Sequence, residues 1–164
     1  MGLFLKKYYN NATVAANDIG AINFLADINC VDLWGLATLE VLNLKAKHKY
    51  TTQKIYEVCK KNGVKLAIVY DKWYKNYGGL PSQWVKVGEW TIQHNVVCGG
   101  EKVSFYAVDS TETENLIKNL QEFSKLLPSD VIQSGKYTEE RYTSSEASIG
   151  SADHRGRGET HRNG

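Results

Sequence analysis

Apolar positions come in short bursts along this chain, and their spacing alternates between that of strands and that of helices. The first burst, Thr13 to Ala16, ends at Asn17-Asp18 and predicts a strand followed by a residue pair suited to capping a helix over Ile19 to Leu25. A turn over Ala26 to Asn29 leads to a second strand, Cys30 to Leu33, closed by Trp34-Gly35. The stretch from Ala16 to Cys30 is just long enough for the crossover of about a dozen residues that parallel pairing needs. The opening is therefore read as a βαβ unit.

Leu39, Val41, Leu42 and Leu44 predict a helix from Leu39 to Lys47, with Lys45, Lys47 and His48 biasing its end toward positive charge. Thr51 or Thr52 can cap the next helix, whose Ile55, Val58 and Cys59 share a stripe before Asn62-Gly63 ends it. Leu66 to Tyr70 is apolar throughout and in part β-branched, as a strand buried on both faces would be. The segment Asp71 to Gln83, rich in Tyr, Trp and Gly, reads as a long loop. Trp84 to Ile92 and Lys102 to Val108 alternate in character across Cys98-Gly99-Gly100-Glu101 and predict an antiparallel edge pair. Thr111 with Glu114 makes a capping box for a helix carrying Leu116, Ile117, Leu120, Phe123 and Leu127, which Pro128 terminates. The fold class expected is α/β: a small three-layer or two-layer Rossmann-like domain with a mixed sheet, parallel at its start and closed by the antiparallel edge pair.

Composition sharpens this outline. At 164 residues and 42% hydrophobic the chain suits one domain, expected over residues 13–135 with the core ending near Pro128. Residues 136–164 pass into a Ser-, Gly- and Arg-rich tail expected to be disordered. Residues 1–12 form a lead-in whose Leu3-Phe4-Leu5-Lys6-Lys7-Tyr8-Tyr9 reads either as a juxtamembrane helix exit or as an amphipathic first turn packing on the domain. No apolar run is long enough to span a bilayer, so the chain as given is expected to be soluble. A net charge of +2 gives no electrostatic case for nucleic acid as a partner. Cys30, Cys59 and Cys98 fit neither a disulfide framework nor zinc-ligand spacing.

The common catalytic signatures are absent. Asn17-Asp18-Ile19-Gly20 has one glycine, and an acid where a dinucleotide's phosphate would sit. Asp18, Asp27 and Asp32 can be drawn as a carboxylate cluster for a metal or for acid-base work, against a plainer reading of Asp18 as a helix cap and Asp32 as a partner of a backbone amide or a base. Neither His48 nor His94 is placed beside a nucleophile, and His154 and His161 fall in the tail. The aromatic stretch with Trp73, Tyr74, Tyr77, Trp84 and Trp90 offers a ligand-facing platform, against the alternative of core and loop packing. Of these rings, Trp73, Tyr74, Tyr77 and Trp84 are the candidates for facing a ligand. No catalytic, cofactor-binding or metal-binding residue is assigned.

The segment TVAANDIGAINFLADINCVDLWGLATLEV resembles the opening of the extracytoplasmic C-terminal domains of polytopic membrane glycosyltransferases that use lipid-phosphate sugars, the C superfamily with its protein-mannosyltransferase-like members. The matching positions are Asp18, Gly20, Ala21, Ile22, Val31, Asp32, Leu33, Gly35 and Leu36, and the resemblance extends more loosely over residues 8 to 135. It implies an accessory domain that is not catalytic by itself, on the extracytoplasmic face of the membrane. Its partners would be the transmembrane portion of the same full-length protein and a glycan or lipid-linked acceptor. The lipid-phosphate sugar donor would bind outside this chain, which needs no cofactor of its own. Asp18, Gly20, Asp32 and Gly35 would be architectural, holding a helix cap and a tight strand exit. Two other classes stand beside it: a free-standing Rossmann-like enzyme binding a nucleotide or S-adenosylmethionine through Asp18 or Asp32, and a small glycan- or peptide-binding module using the aromatic loop.

Overall fold

The computed structural model of the chain describes residues 1–139. Among these residues six strands make one sheet: β1 (Thr13–Ala16), β2 (Asn29–Asp32), β3 (Leu66–Val69), β4 (Val85–Ile92), β5 (Lys102–Ala107) and β6 (Val131–Gly135). Their order across the sheet is β2-β1-β3-β5-β4-β6. β1 runs parallel to both β2 and β3, whereas β5, β4 and β6 add in antiparallel fashion. The helices are α1 (Gly2–Tyr8), α2 (Gly20–Leu25), α3 (Leu39–Ala46), α4 (Thr52–Lys61) and α5 (Thr113–Ser124), with 3-10 turns over Asp71–Tyr77, Ser110–Glu112 and Lys136–Thr138.

Alternation along the strands sorts the apolar side chains into two cores, because successive side chains point to opposite faces of a sheet. Val14 and Ala16 of β1, with Leu66 and Ile68 of β3, join Phe4, Leu5, Ile22, Leu116, Ile117 and Leu120 in one core. Ala15, Ala67 and Val69 turn the other way, to Val41, Ile55, Val58, Cys59 and Tyr74. Helices α1, α2 and α5 thus cover one face, while α3, α4 and the Asp71–Tyr77 turn cover the other. The result is a three-layer mixed α/β sandwich.

The structure alters some of these expectations and decides between others. The antiparallel pair is not the edge of the sheet, since β6 pairs with β4 from Gly88↔Gly135 to Ile92↔Val131. Order continues past Pro128 and past residue 135, because Tyr137 is buried against the first core; residues 140–164 of the expected tail lie outside the described residues. Of the two readings of the lead-in, residues 1–12, the structure has the first turn packing on the domain. Phe4 and Leu5 are fully buried, and the Phe4 ring meets those of Trp90, Phe105 and Phe123 at 5.5–5.9 Å between centroids, so α1 packs on the domain. The capping box also gives way: the Asp109 carboxylate accepts from Thr111 N–H (3.0 Å), capping a 3-10 turn ahead of α5.

Candidate functional site

In open α/β sheets ligands bind outside the carboxyl ends of the strands, where successive connections leave toward opposite sides. Here that place lies between β1 and β3, because the route from β1 to β2 packs α2 on one face and the route from β2 to β3 packs α3 and α4 on the other. The crevice is filled by the chain itself. Asn17 Oδ1 accepts from Tyr70 N–H (3.0 Å), and Asp18 Oδ2 accepts from the Tyr70 hydroxyl (3.0 Å). Burial, followed by the bond to Asp18, pushes the Tyr70 hydroxyl's pKa well up, so it stays protonated and donates. The hairpin between β4 and β5 roofs this pair: a Cβ on Gly100 would stand 3.0 Å from the Tyr70 ring. Asp18 therefore braces β1 to β3 and does not cap α2, which has Ile19 at its N-cap position and no side-chain cap. Gly20 has open space around it, so no close contact requires a glycine there.

Asp32 shapes the neighbouring strand exit. It is fully buried, and its carboxylate accepts from Trp34 N–H (2.8 Å) and Ala37 N–H (2.7 Å), while its own N–H donates to Thr38 Oγ (2.8 Å). Gly35 lets the chain double back onto α3: its φ is +89°, and a Cβ would meet Leu42 N at 3.0 Å. This tight loop swings Trp34 over the carboxyl edge. Asp18, Asp27 and Asp32 do not assemble into a metal site, and among the described residues no group of three or more His, Cys, Asp or Glu does.

Trp34 meets two of the aromatics singled out from the sequence. Its ring lies edge-on to Trp73 (4.6 Å between centroids, 61°) and to Tyr77 (6.4 Å, 73°), and Tyr77 in turn meets Tyr50 (5.0 Å, 77°). Tyr50 is fixed by donating its hydroxyl proton to the Leu33 carbonyl (2.7 Å). Trp73 is held by its Nε1–H bond to the Gly99 carbonyl (3.2 Å), at a point where a Cβ on Gly99 would stand 2.6 Å from the ring. Tyr74 and Trp84 do not join the group around Trp34: both turn into the second core, where they are 0% and 5% exposed. Trp90 is likewise buried, in the first core.

A lysine occupies the middle of this aromatic group. Lys45 Nζ stands 3.3 Å from the centroid of Trp34 and 5.1 Å from those of both Tyr50 and Tyr77, and it donates to the Trp34 carbonyl (2.9 Å). Burial lowers the pKa of its ammonium, against the opposing pull of the Asp32 charge. Sequence reading took Lys45 only as a helix-end charge and Trp34 only as a strand terminator. No local pattern carries that role, because Trp34, Tyr50 and Tyr77 come to Lys45 from separate connections.

No helix among the described residues is long and apolar enough to cross a membrane. No curated protein and no solved structure matches the chain. Residues 1–106, which hold β1 to β3 and every residue of the aromatic edge, match the family described as "Domain of unknown function (DUF8728)", and the chain belongs to that family.

Proposed function

We propose that this domain is a ligand-binding module for a glycan or peptide, with its site on the aromatic carboxyl edge formed by Trp34, Trp73 and Tyr77. The observation that carries this reading is the meeting of two half-buried indoles from separate strand exits, Trp34 after β2 and Trp73 after β3, at one rigidly braced surface. Rings of this kind present flat apolar faces beside polar tips, the chemistry that stacks on sugars and on peptide side chains. The alternative of a nucleotide-binding enzyme is disfavoured because Asn17, Tyr70 and the Gly99-Gly100 hairpin already fill the crevice such a ligand needs. Calorimetric titration with a panel of oligosaccharides and peptides tests the proposal. Binding that Trp73→Ala abolishes while the circular dichroism spectrum is retained supports it; binding that the substitution leaves unchanged refutes it.

The opening motif supports a wider assignment, that the module is a non-catalytic accessory domain of an extracytoplasmic membrane glycosyltransferase using a lipid-phosphate sugar donor. The native gene product would then be far larger than the 18.4 kDa of this chain and would sediment with membranes. A product of 18.4 kDa in the soluble fraction of fractionated cells, detected by immunoblot, would refute it.

A further inference from the structure

The group around Lys45 has the geometry of a receptor for a cation. Three rings, Trp34, Tyr50 and Tyr77, surround one ammonium, and successive walls stand at 73° and 77° to each other. An ammonium over an aromatic face is attracted by the ring quadrupole, and cages of this type are used to bind quaternary ammonium groups. Each wall also has a support other than the lysine. Trp34 is placed by the Asp32 carboxylate through its backbone N–H, Tyr50 by its hydroxyl bond to Leu33, and Tyr77 belongs to a 3-10 turn that ends at Gly78, whose φ is +92°.

The lysine is a poorly matched occupant. Its ammonium carries three donors, and among the described residues it has one acceptor, the Trp34 carbonyl. The remaining two protons face aromatic walls or solvent, so a primary ammonium gives up hydration here for weak compensation. An alkylated ammonium has fewer N–H groups to satisfy and presents methyl groups to the same rings. Lys45 reaches the cage from the last turn of α3 by a flexible four-carbon stem and is only partly buried, so it can swing out to water.

We propose that Trp34, Tyr50 and Tyr77 form a binding site for an alkylammonium group, with Lys45 as a built-in competitor that fills it when no ligand is present. This rests on the reading of the carboxyl edge as a binding surface and adds the chemical class of the group bound there. The competitor would set a threshold: only a ligand that gains more from the cage than Lys45 does would enter.

The test uses tetramethylammonium chloride, with sodium chloride at equal ionic strength as control. In the wild-type protein the salt is expected to displace Lys45, seen as a shift of its 13Cε–1Hε NMR signal toward that of the exposed lysines. In Lys45→Ala the site is vacated, and binding followed by Trp fluorescence is expected to tighten by about ten-fold, the scale of one desolvated cation–π contact. Adding Trp34→Ala to that variant is expected to abolish binding. The proposal is overturned if the Lys45 signal stays in place at saturating salt, or if folded Lys45→Ala binds no more tightly than wild type. If Lys45→Ala does not fold, the wild-type NMR titration decides by itself. Glycans or uncharged peptides that bind at Trp73 while tetramethylammonium does not would retain the binding-module reading and reject the cation site.

Discussion

The two halves of the sheet solve the same burial problem differently. Strands β2, β1 and β3 lie between helical layers, and β3 has every residue buried, so its side chains are apolar on both faces. Strands β5, β4 and β6 send Val87, Trp90, Val103 and Phe105 to one core, but their other face carries a polar network. There the Asp71 carboxylate accepts from Lys86 Nζ (3.1 Å), Ser104 Oγ (3.0 Å) and the Tyr106 hydroxyl (3.1 Å), and Glu89 pairs with Lys86 (2.9 Å) and Lys102 (2.5 Å). Helical cover on both sides makes the parallel half rigid, and that half holds out the aromatic edge. The antiparallel half extends the sheet and keeps a solvated face.

The contrast predicts a graded series of losses. The largest belongs to the core shared by the halves: Phe105→Ala empties a fully buried ring site beside Phe4 and Trp90 and is expected to cost about 3–5 kcal/mol by urea denaturation. Next comes Asp32→Ala in the parallel half, which strips a buried acceptor from the Trp34 and Ala37 amides, at about 2–3 kcal/mol. That variant should also loosen Trp34, visible as increased fluorescence quenching by iodide, an effect absent in Phe105→Leu. Tyr70→Phe removes one hydroxyl bond to Asp18 and is expected to cost about 1 kcal/mol.

The smallest effects belong to the polar face of the antiparallel half. Lys102→Ala breaks a pair whose lysine is half exposed and is expected to change stability by about 0–1 kcal/mol. Acid should expose this network better than substitution does. Burial would raise the Glu89 carboxyl, but its bonds to Lys102 and Lys86 outweigh that and bring it from 4.5 down to about 2. A carboxyl lowered on folding stabilises the native state above its ordinary value, and that contribution is lost as pH falls from 4.5 toward 2. Glu89→Gln is therefore expected to flatten the fall in denaturation midpoint across that interval.

The same division decides what was legible in the sequence. Continuous apolar runs and Gly stops made β1, β3, α4 and the βαβ opening readable, because burial on both faces leaves a dense local signal. β6 escaped since Val131-Ile132 is followed by Gln133, Ser134 and Gly135, and its pairing depends on a distant partner, β4. Asp18 looked like a cap beside α2, yet its bond goes to Tyr70, 52 residues away. Trp73 and Tyr77 lie at the edge, but Tyr74 and Trp84 of the same aromatic stretch turn into the core, Tyr74 by its place in the 3-10 turn and Trp84 at the Pro81 turn that leads into β4, and composition does not distinguish them. The role of Lys45 required knowing that α3 ends beside Trp34, Tyr50 and Tyr77, which no local pattern states.

The four tryptophans supply the most direct test of the central claim, because two lie on the aromatic edge and two in the cores. Assigned indole N–H signals should be followed by two-dimensional NMR during titration with the ligands that score in calorimetry. The account predicts that the Trp34 and Trp73 signals move together while those of Trp84 and Trp90 stay fixed. Ligand-dependent movement confined to Trp84 or Trp90, with Trp34 and Trp73 unchanged, would contradict it.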